Sequence, residues 1–197
     1  MNASADLETV IETISSTYSL LTDECKKDLK KSSKLVSYDK NALIVKEGHV
    51  ADTMYFIVSG CVRAFYVKED KEINDWFAFE GDFVTSINSF FQDVPSKHYI
   101  ESLELTTIVE IPRTAINTLA DTHHCFERLG RKAATKTMLQ LQERIVSLQF
   151  ETAQQKFESL IHVRPDITQR VSLTHIASYL GITLETLSRI RHPKYRI

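Results

Sequence analysis

The chain has only three cysteines, Cys25, Cys61 and Cys125, and no two of them are close enough to form a Cys-x-x-Cys pair. Zinc knuckles need closely spaced pairs, and disulfide scaffolds need a dense even set, so both are excluded and reduced, mostly buried thiols are expected. Long apolar runs are also missing: nowhere do 18 apolar residues follow one another, and residues 1–21 lack a basic start followed by an apolar stretch. The protein is therefore expected to be soluble and cytoplasmic, with no membrane partner. Histidine is sparse where a small β-barrel enzyme would need it. Such a metal site wants two His and an acid converging from adjacent strands. The β-rich region holds only His49 and His98, while His123 and His124 are sequence neighbours in a helical stretch and point about 100° apart. No metal, no cofactor and no enzymatic activity is expected. Repeats and low-complexity tracts are absent as well.

What is present is ordinary in bulk and uneven in detail. A composition of 43% hydrophobic and 25% charged residues is that of a globular protein, not of a disordered or fibrous one. A length of 197 residues accommodates a sensor of about 120 residues plus a small appendage. The net charge of −2 hides an asymmetry: residues 164–197 carry Arg164, Arg170, Arg189, Arg191, Lys194 and Arg196 against Asp166 and Glu185, a balance of +4, leaving −6 for residues 1–163. An acidic body with a short basic end is what a nucleic-acid-binding tail on a sensor looks like, and equally what a solvated basic terminus looks like.

Helical spacing over 8–21 and 22–31 predicts two short leading helices, the second capped by Thr22 and Asp23. Short β-rich runs then follow at 34–38, 42–45, 53–59, 61–67, 72–79 and 100–111, with Gly48, Gly60 and Gly81 between them at tight turns; this predicts an antiparallel β domain. The nearly unbroken apolar run 54–58 predicts a strand buried on both faces, and the alternation over 62–67 a neighbour only partly covered. From Pro112 the pattern is helical, and Ala134, Met138, Leu141, Ile145 and Leu148 recur at spacings of 4, 3, 4 and 3, a two-heptad seam. Such a seam serves a second copy of the chain or packing on its own sensor; Gln140, Glu143 and Arg144 flank it as solvated neighbours. A further helix over 152–162, with Phe157, Leu160 and Ile161 on one side, ends before Pro165.

The segment 171–190 is the most informative. Ser172 is placed to cap a helix with Leu173, Ile176 and Leu180 inward; Ala177 is small where a second helix crosses; Gly181 supplies a left-handed turn residue. Thr183 caps the next helix, with Glu185 in its first turn, and Leu187 and Ile190 face inward. Leu184, Glu185, Ser188, Arg189 and His192 are left on the outer side, a face suited to the major groove, with the Arg189 fork matching guanine O6 and N7. Arg191, Lys194 and Arg196 would supply phosphate contacts, and the two cap residues, Ser172 and Thr183, are counted with the DNA-facing set. A motif this small needs a neighbour to complete its core, and the helix carrying Phe157 to Ile161 is the one at hand. No β-wing is expected in the short run after Pro193.

These residues resemble the Crp/Fnr family of regulators over nearly the whole chain. The segment 176–191, IASYLGITLETLSRIR, is similar to the family's recognition motif, with Glu185 and Arg189 at its base-reading positions and Leu184 where many members carry a first Arg. Residues 54–63 resemble the family's strand, turn glycine and strand, and Glu80, Gly81, Asp82 and Phe83 the start of its phosphate-binding cassette. Members that bind cyclic nucleotide continue with Gly-Glu and later Arg-Ser or Arg-Thr; here those places read Thr85-Ser86 and Ser96-Lys97. A serine cannot reproduce the bidentate Arg clamp on the cyclic phosphate, which argues against tight cyclic-AMP binding in the usual pose. Phe83, Thr85, Ser86, Ser96, Lys97 and His98 remain the candidate effector pocket, with Lys97 or His98 as a point charge for some other anion. The family's iron–sulfur branch needs an N-terminal cysteine cluster, and only Cys25 lies there.

The resemblance implies an α+β fold: an antiparallel, jelly-roll-like β-roll sensor over 1–120, a dimerisation helix over 121–150, and an all-α helix-turn-helix over 151–197 without an evident wing. It implies double-stranded DNA, a second copy of the chain and RNA polymerase as partners. The competing reading is a sensor module that acts on a protein partner without binding DNA.

Overall fold

The computed structural model describes residues 6–191. Two helices lead in, α1 (Leu7–Thr17) and α2 (Asp23–Ser32). The Thr22 hydroxyl accepts from the Cys25 amide at 3.3 Å, so it does cap α2, and Asp23 and Glu24 at one end with Lys30 and Lys31 at the other suit the helix dipole.

Eight strands follow among the described residues: β1 (Lys34–Tyr38), β2 (Leu43–Val45), β3 (Thr53–Ser59), β4 (Val62–Lys68), β5 (Lys71–Ala78), β6 (Phe83–Val84), β7 (Tyr99–Ser102) and β8 (Thr106–Pro112). They form two four-stranded antiparallel sheets, ordered β1-β8-β3-β6 and β2-β7-β4-β5. A short helix, α3 (Ile87–Gln92), joins β6 to β7. The β run expected over 100–111 is in fact two strands in different sheets. Its corner, at residues 103–105, is pressed against the β3–β4 corner, where the chain also changes sheets. Gly60 sits there with φ +95°, and a side-chain carbon on it would lie 2.7 Å from the Thr106 Cα. Backbone conformation and space both demand glycine at this point. The Leu103 amide donates to the Cys61 carbonyl at 2.8 Å and closes the corner.

Three apolar clusters hold the chain together. One lies under the leading helices, joining Val10, Ile14, Leu29, Phe56, Ile111 and Phe126. A second fills the space between the sheets, with Ile57, Val62, Ile100 and Ile108. Beyond the roll come α4 (Arg113–Thr122) and the 27-residue α5 (His124–Phe150), separated by the extended residue His123. Then follow α6 (Ala153–Val163), α7 (Ile167–Arg170), α8 (Leu173–Leu180) and α9 (Leu184–Arg191). Thr152 and Gln155 form a reciprocal capping box that starts α6.

The third cluster was not anticipated. Ile167, Val171, Ile176, Ala177, Leu180 and Leu187 share one core with Cys61, Phe77, Phe79 and Leu103 of the roll, and with Phe157, Leu160 and Ile161 of α6. The C-terminal helices therefore lie on their own sensor. This corrects the expectation for β4: Val62, Arg63, Ala64 and Phe65 are all buried. Arg63 is tolerated there because its guanidinium meets Glu101 at 2.7 Å and Glu72 at 2.6 Å.

Candidate functional site

The two helices at the C-terminal end are set by local chemistry. Ser172 accepts from the His175 amide at 3.2 Å and starts α8. Gly181, at φ +67°, ends it, and its amide bonds back to Ser178. Thr183 accepts from the Thr186 amide at 3.1 Å and starts α9. A side-chain carbon on Gly181 would find only Leu148 at 3.7 Å, so glycine is needed there for its left-handed backbone and not for space.

Packing sorts the residues of α9 by face. Leu187 is fully buried and Ile190 half-buried, whereas Leu184, Glu185, Ser188, Arg189 and Arg191 are exposed. The Glu185 carboxyl is held below the usual range by its own amide and by the Thr183 hydroxyl, with a smaller contribution from Arg189, so it stays an ionised acceptor. The outer face thus offers one acceptor and one forked donor a helical turn apart. Ser172 and Thr183, also read as DNA-facing, are exposed and already serve as caps. His192, Lys194 and Arg196 lie outside the described residues, as does the expected end of the helix at Pro193.

Two of the basic residues counted toward the tail's charge are not available to a nucleic acid. The Arg170 guanidinium contacts Glu80 at 2.6 Å, Glu104 at 2.5 Å and Asp166 at 3.0 Å. Arg164 meets Asp166 at 3.1 Å and lies over the Phe79 ring at 3.8 Å. Both arginines tie α7 and the preceding loop to the sensor. A second tie uses Ser178 of α8, whose hydroxyl accepts from the Asn74 amide at 2.9 Å and donates to the Glu72 carbonyl at 3.1 Å. Strand β5 is an edge strand, and this one hydroxyl satisfies backbone groups that have no strand beside them.

The seam positions on α5 stay uncovered in the isolated chain: Ala134, Met138, Leu141, Ile145 and Leu148 are all exposed, Met138 at 62% and Ile145 at 50%. Leu139, Val146 and Phe150 extend the stripe. Arg144, expected in solvent beside it, is instead half-buried with its guanidinium 3.8 Å above the Tyr179 ring of α8.

Of the six residues read as an effector pocket, Ser96 and Lys97 line one open groove, and the others are engaged elsewhere. Phe83 packs on Phe56 and Tyr18, ring centres 4.9 and 5.2 Å away, in the cluster under the leading helices. Thr85 is buried and donates to the Thr53 carbonyl at 2.9 Å. Ser86 and Ser96, standing where a ribose acceptor and a phosphate clamp would be, are buried and bonded to each other at 2.9 Å. His98 rests edge-on against Tyr66, and burial lowers its pKa, so it is a neutral ring and not a cation. Only Lys97 is exposed, on an open groove of about 490 Å³ with Glu47, Asn88 and Gln92. Glu80, at the start of the cassette, is occupied by Arg170 and by the Gly60 amide at 2.9 Å. Asp82 is held by Lys136 of α5 at 2.8 Å. Neither role could be read locally, because the partners lie 20 to 90 positions away.

Among the described residues no group of three His, Cys, Asp or Glu is arranged to hold a metal ion, and no helix is long and apolar enough to cross a membrane.

Comparison with known proteins agrees with this geometry. Residues 35–123 match the cyclic nucleotide-binding domain. The regulatory protein HlyX of Actinobacillus pleuropneumoniae is 26% identical over 77% of this chain and 67% of its own length. Among solved structures, FixK2 from Bradyrhizobium japonicum superposes with a TM-score of 0.64 at 23% identity, covering 80% of this chain and 82% of that one. A protein from Eubacterium rectale assigned to the Crp/Fnr family of transcriptional regulators superposes with a TM-score of 0.67 at 16% identity, covering 86% and 82%. The two structures share the fold: roll, long helix and C-terminal helix pair. Residues 35–123 are thus similar to a cyclic nucleotide-binding domain, a regulatory protein is a relative over three quarters of the chain, and the chain has the fold of a structure assigned to the Crp/Fnr regulators.

Proposed function

We propose that the chain is a dimeric, sequence-specific DNA-binding transcription regulator that works in the cytoplasm, with α9 as its reading head. The observation that carries this is the sorting of α9: Leu187 and Ile190 dock one side, while Glu185, Ser188 and Arg189 stand free on the other. A short helix with a free polar face fits the major groove, where Arg pairs with guanine and Glu accepts from cytosine. Leu184, in place of a first Arg, adds only an apolar contact and shifts the preferred site away from one read by two arginines. Binding of genomic fragments by the purified chain, followed by a pull-down of bound DNA from the native host, tests the reading. A purified chain with no salt-dependent preference for any fragment defeats it and favours a module that acts on a protein partner.

The uncovered stripe on α5 is the surface for the second copy. Two copies joined there would present two reading heads, which a two-fold site needs about 34 Å apart. The contact of Lys136 with Asp82 and Tyr18 gives the sensor a grip on α5, so a change at the cassette turn would slide the seam and alter that spacing. RNA polymerase is a further partner on this reading.

The effector is not cyclic AMP in the usual pose. The paired hydroxyls of Ser86 and Ser96 give neither a carboxylate for ribose nor a guanidinium for phosphate. Titration with cyclic AMP at millimolar concentration is expected to leave the thermal midpoint unchanged, and a clear rise would restore the nucleotide reading.

A further inference from the structure

Cys25 and Cys125 are 100 positions apart in sequence and meet in one place. Cys25, on α2, is fully buried in the cluster under the leading helices, and Cys125, in the first turn of α5, packs half-exposed against the same cluster. Thr22 brackets them: its hydroxyl bonds the Cys25 amide at 3.3 Å and lies 3.9 Å from the Cys125 sulfur. Each thiol is close enough to shift the acidity of the other. Neither serves the proposed reading head, seam or cassette.

The geometry points to a reversible disulfide between Cys25 and Cys125, with Cys125 as the attacking sulfur and Cys25 as the resolving one. The division of labour follows from position. Cys125 lies at the N-terminus of a 27-residue helix and is reached by solvent, conditions that favour a thiolate. Burial would raise its pKa, but bonds from the Thr22 amide, from Cys25 and from the Thr22 hydroxyl outweigh that and lower it. Cys25 is pushed the other way, to about 12, by burial first and then by its thiol neighbour and Asp28.

The oxidant is a peroxide. The Cys125 thiolate attacks one peroxide oxygen, the O–O bond breaks, and a sulfenic acid forms as the departing hydroxide takes a proton and leaves as water. The Cys25 sulfur then attacks the Cys125 sulfur. The S–O bond breaks, and hydroxide leaves with the Cys25 proton as a second water. Two thiols and one hydrogen peroxide give one disulfide and two waters. Both sulfurs are oxidised and both peroxide oxygens reduced, and exchange with a small thiol reverses the change. The bond would pin α2 to the foot of the long helix.

The test uses the full chain, folded and prereduced, treated with hydrogen peroxide and then alkylated and mapped by mass spectrometry. Two thiols are expected to disappear together with the loss of two hydrogens and a linked Cys25–Cys125 peptide within one chain, and dithiothreitol should restore both. Cys61 serves as the internal control: it is fully buried, burial drives its thiol pKa well above the usual range, and it should stay alkylatable after unfolding. In Cys125→Ser, Cys25 should survive peroxide as a free thiol. In Cys25→Ser, Cys125 should stop at a sulfenic acid that dimedone traps. Three intact thiols after treatment, a link made only in urea, a link between chains, or oxidation of Cys25 in the Cys125→Ser variant would each overturn the assignment.

Discussion

Two pairs of arginines, both in the last 34 residues, meet opposite fates. Arg164 and Arg170 are folded back onto sensor carboxylates, whereas Arg189 and Arg191 are exposed on α9. By charge count the four are equivalent, and by structure they are not. The first pair neutralises Glu80, Glu104 and Asp166 and holds the C-terminal helices against the roll; only the second pair, among the described residues, is free to meet an anion. Basicity of a tail is therefore a poor measure of what it offers to DNA, because part of it is spent on the acidic body beside it.

The firmest way to break this comparison is to remove what keeps the two regions distinct. Leu187 is fully buried where α9 meets the shared core, so Leu187→Ala is expected to cost about 2–5 kcal/mol of stability, seen as a lower urea midpoint. Its loss should also unseat the proposed reading face, and DNA selectivity should fall with it. A variant of undiminished stability would mean that α9 is not packed into the shared core as described.

Next in size is Arg170→Ala, which leaves Glu80, Glu104 and Asp166 with Arg164 as the one remaining arginine, 3.6 Å from Glu80 and 3.1 Å from Asp166. The charge-assisted bonds lost suggest about 2 kcal/mol, after allowing for the two-fifths exposure of Glu80 and Asp166. The pH profile separates this from simple packing. Burial alone would raise the Glu80 and Asp166 carboxyls, but Arg170, the largest of the opposing causes, together with backbone amides and, at Asp166, Arg164 outweighs it and holds both below their ordinary 4.5 and 3.8. A folded pKa lower than the unfolded one stabilises fully above about pH 4.5 and is lost as acid titrates the folded groups. The unsubstituted chain should weaken steeply below that pH, and the variant, weaker already at neutrality, should show a flatter acid limb. Parallel limbs would show that Arg170 does not set these carboxyls.

Arg189→Ala sharpens the other side. It should leave stability within about 0.5 kcal/mol, since the side chain is exposed, and weaken binding by about 1–3 kcal/mol at one base-pair position. Competition binding against singly substituted sites measures this. Unchanged selectivity would remove Arg189 from the reading face, and a loss spread evenly over all sites would make it a phosphate contact like those of the tail.

The contrast also marks what was legible in the residues alone. The helix pair could be read because each of its parts is local: Ser172 and Thr183 cap within three positions, Gly181 turns the chain, and Leu187 and Ile190 mark one face. Strands β1 and β3 were legible to the residue, because their apolar runs are bounded by turns. The failures share one cause, a partner far along the chain. Residues 100–111 read as one run because the corner depends on Gly60, and Phe83 read as a pocket residue because its partners, Tyr18 and Phe56, lie 65 and 27 positions earlier. Arg144 read as a solvated flank because Tyr179 is remote. Likewise Ser86 and Ser96 were recognised as poor substitutes for a clamp, but nothing local said that they would bond each other.

Ser178 gives the smallest and most specific probe of the dock. Its hydroxyl both accepts from Asn74 and donates to the carbonyl of Glu72, standing in for the strand that β5 lacks. Glu72 is exposed although Asn74 is buried, so Ser178→Ala should cost about 1 kcal/mol. The more telling readout is local. The Asn74 amide should exchange its hydrogen faster, because its acceptor is gone, while amides of β3 in the other sheet keep their rate. If exchange at Asn74 stays slow, the edge is protected by something other than α8, and the C-terminal helices are not held to the roll through this strand. If exchange quickens at Asn74 and along α8 together, the two open as one unit, and the sensor edge and the helix pair form a single cooperative joint that a regulatory signal would have to open.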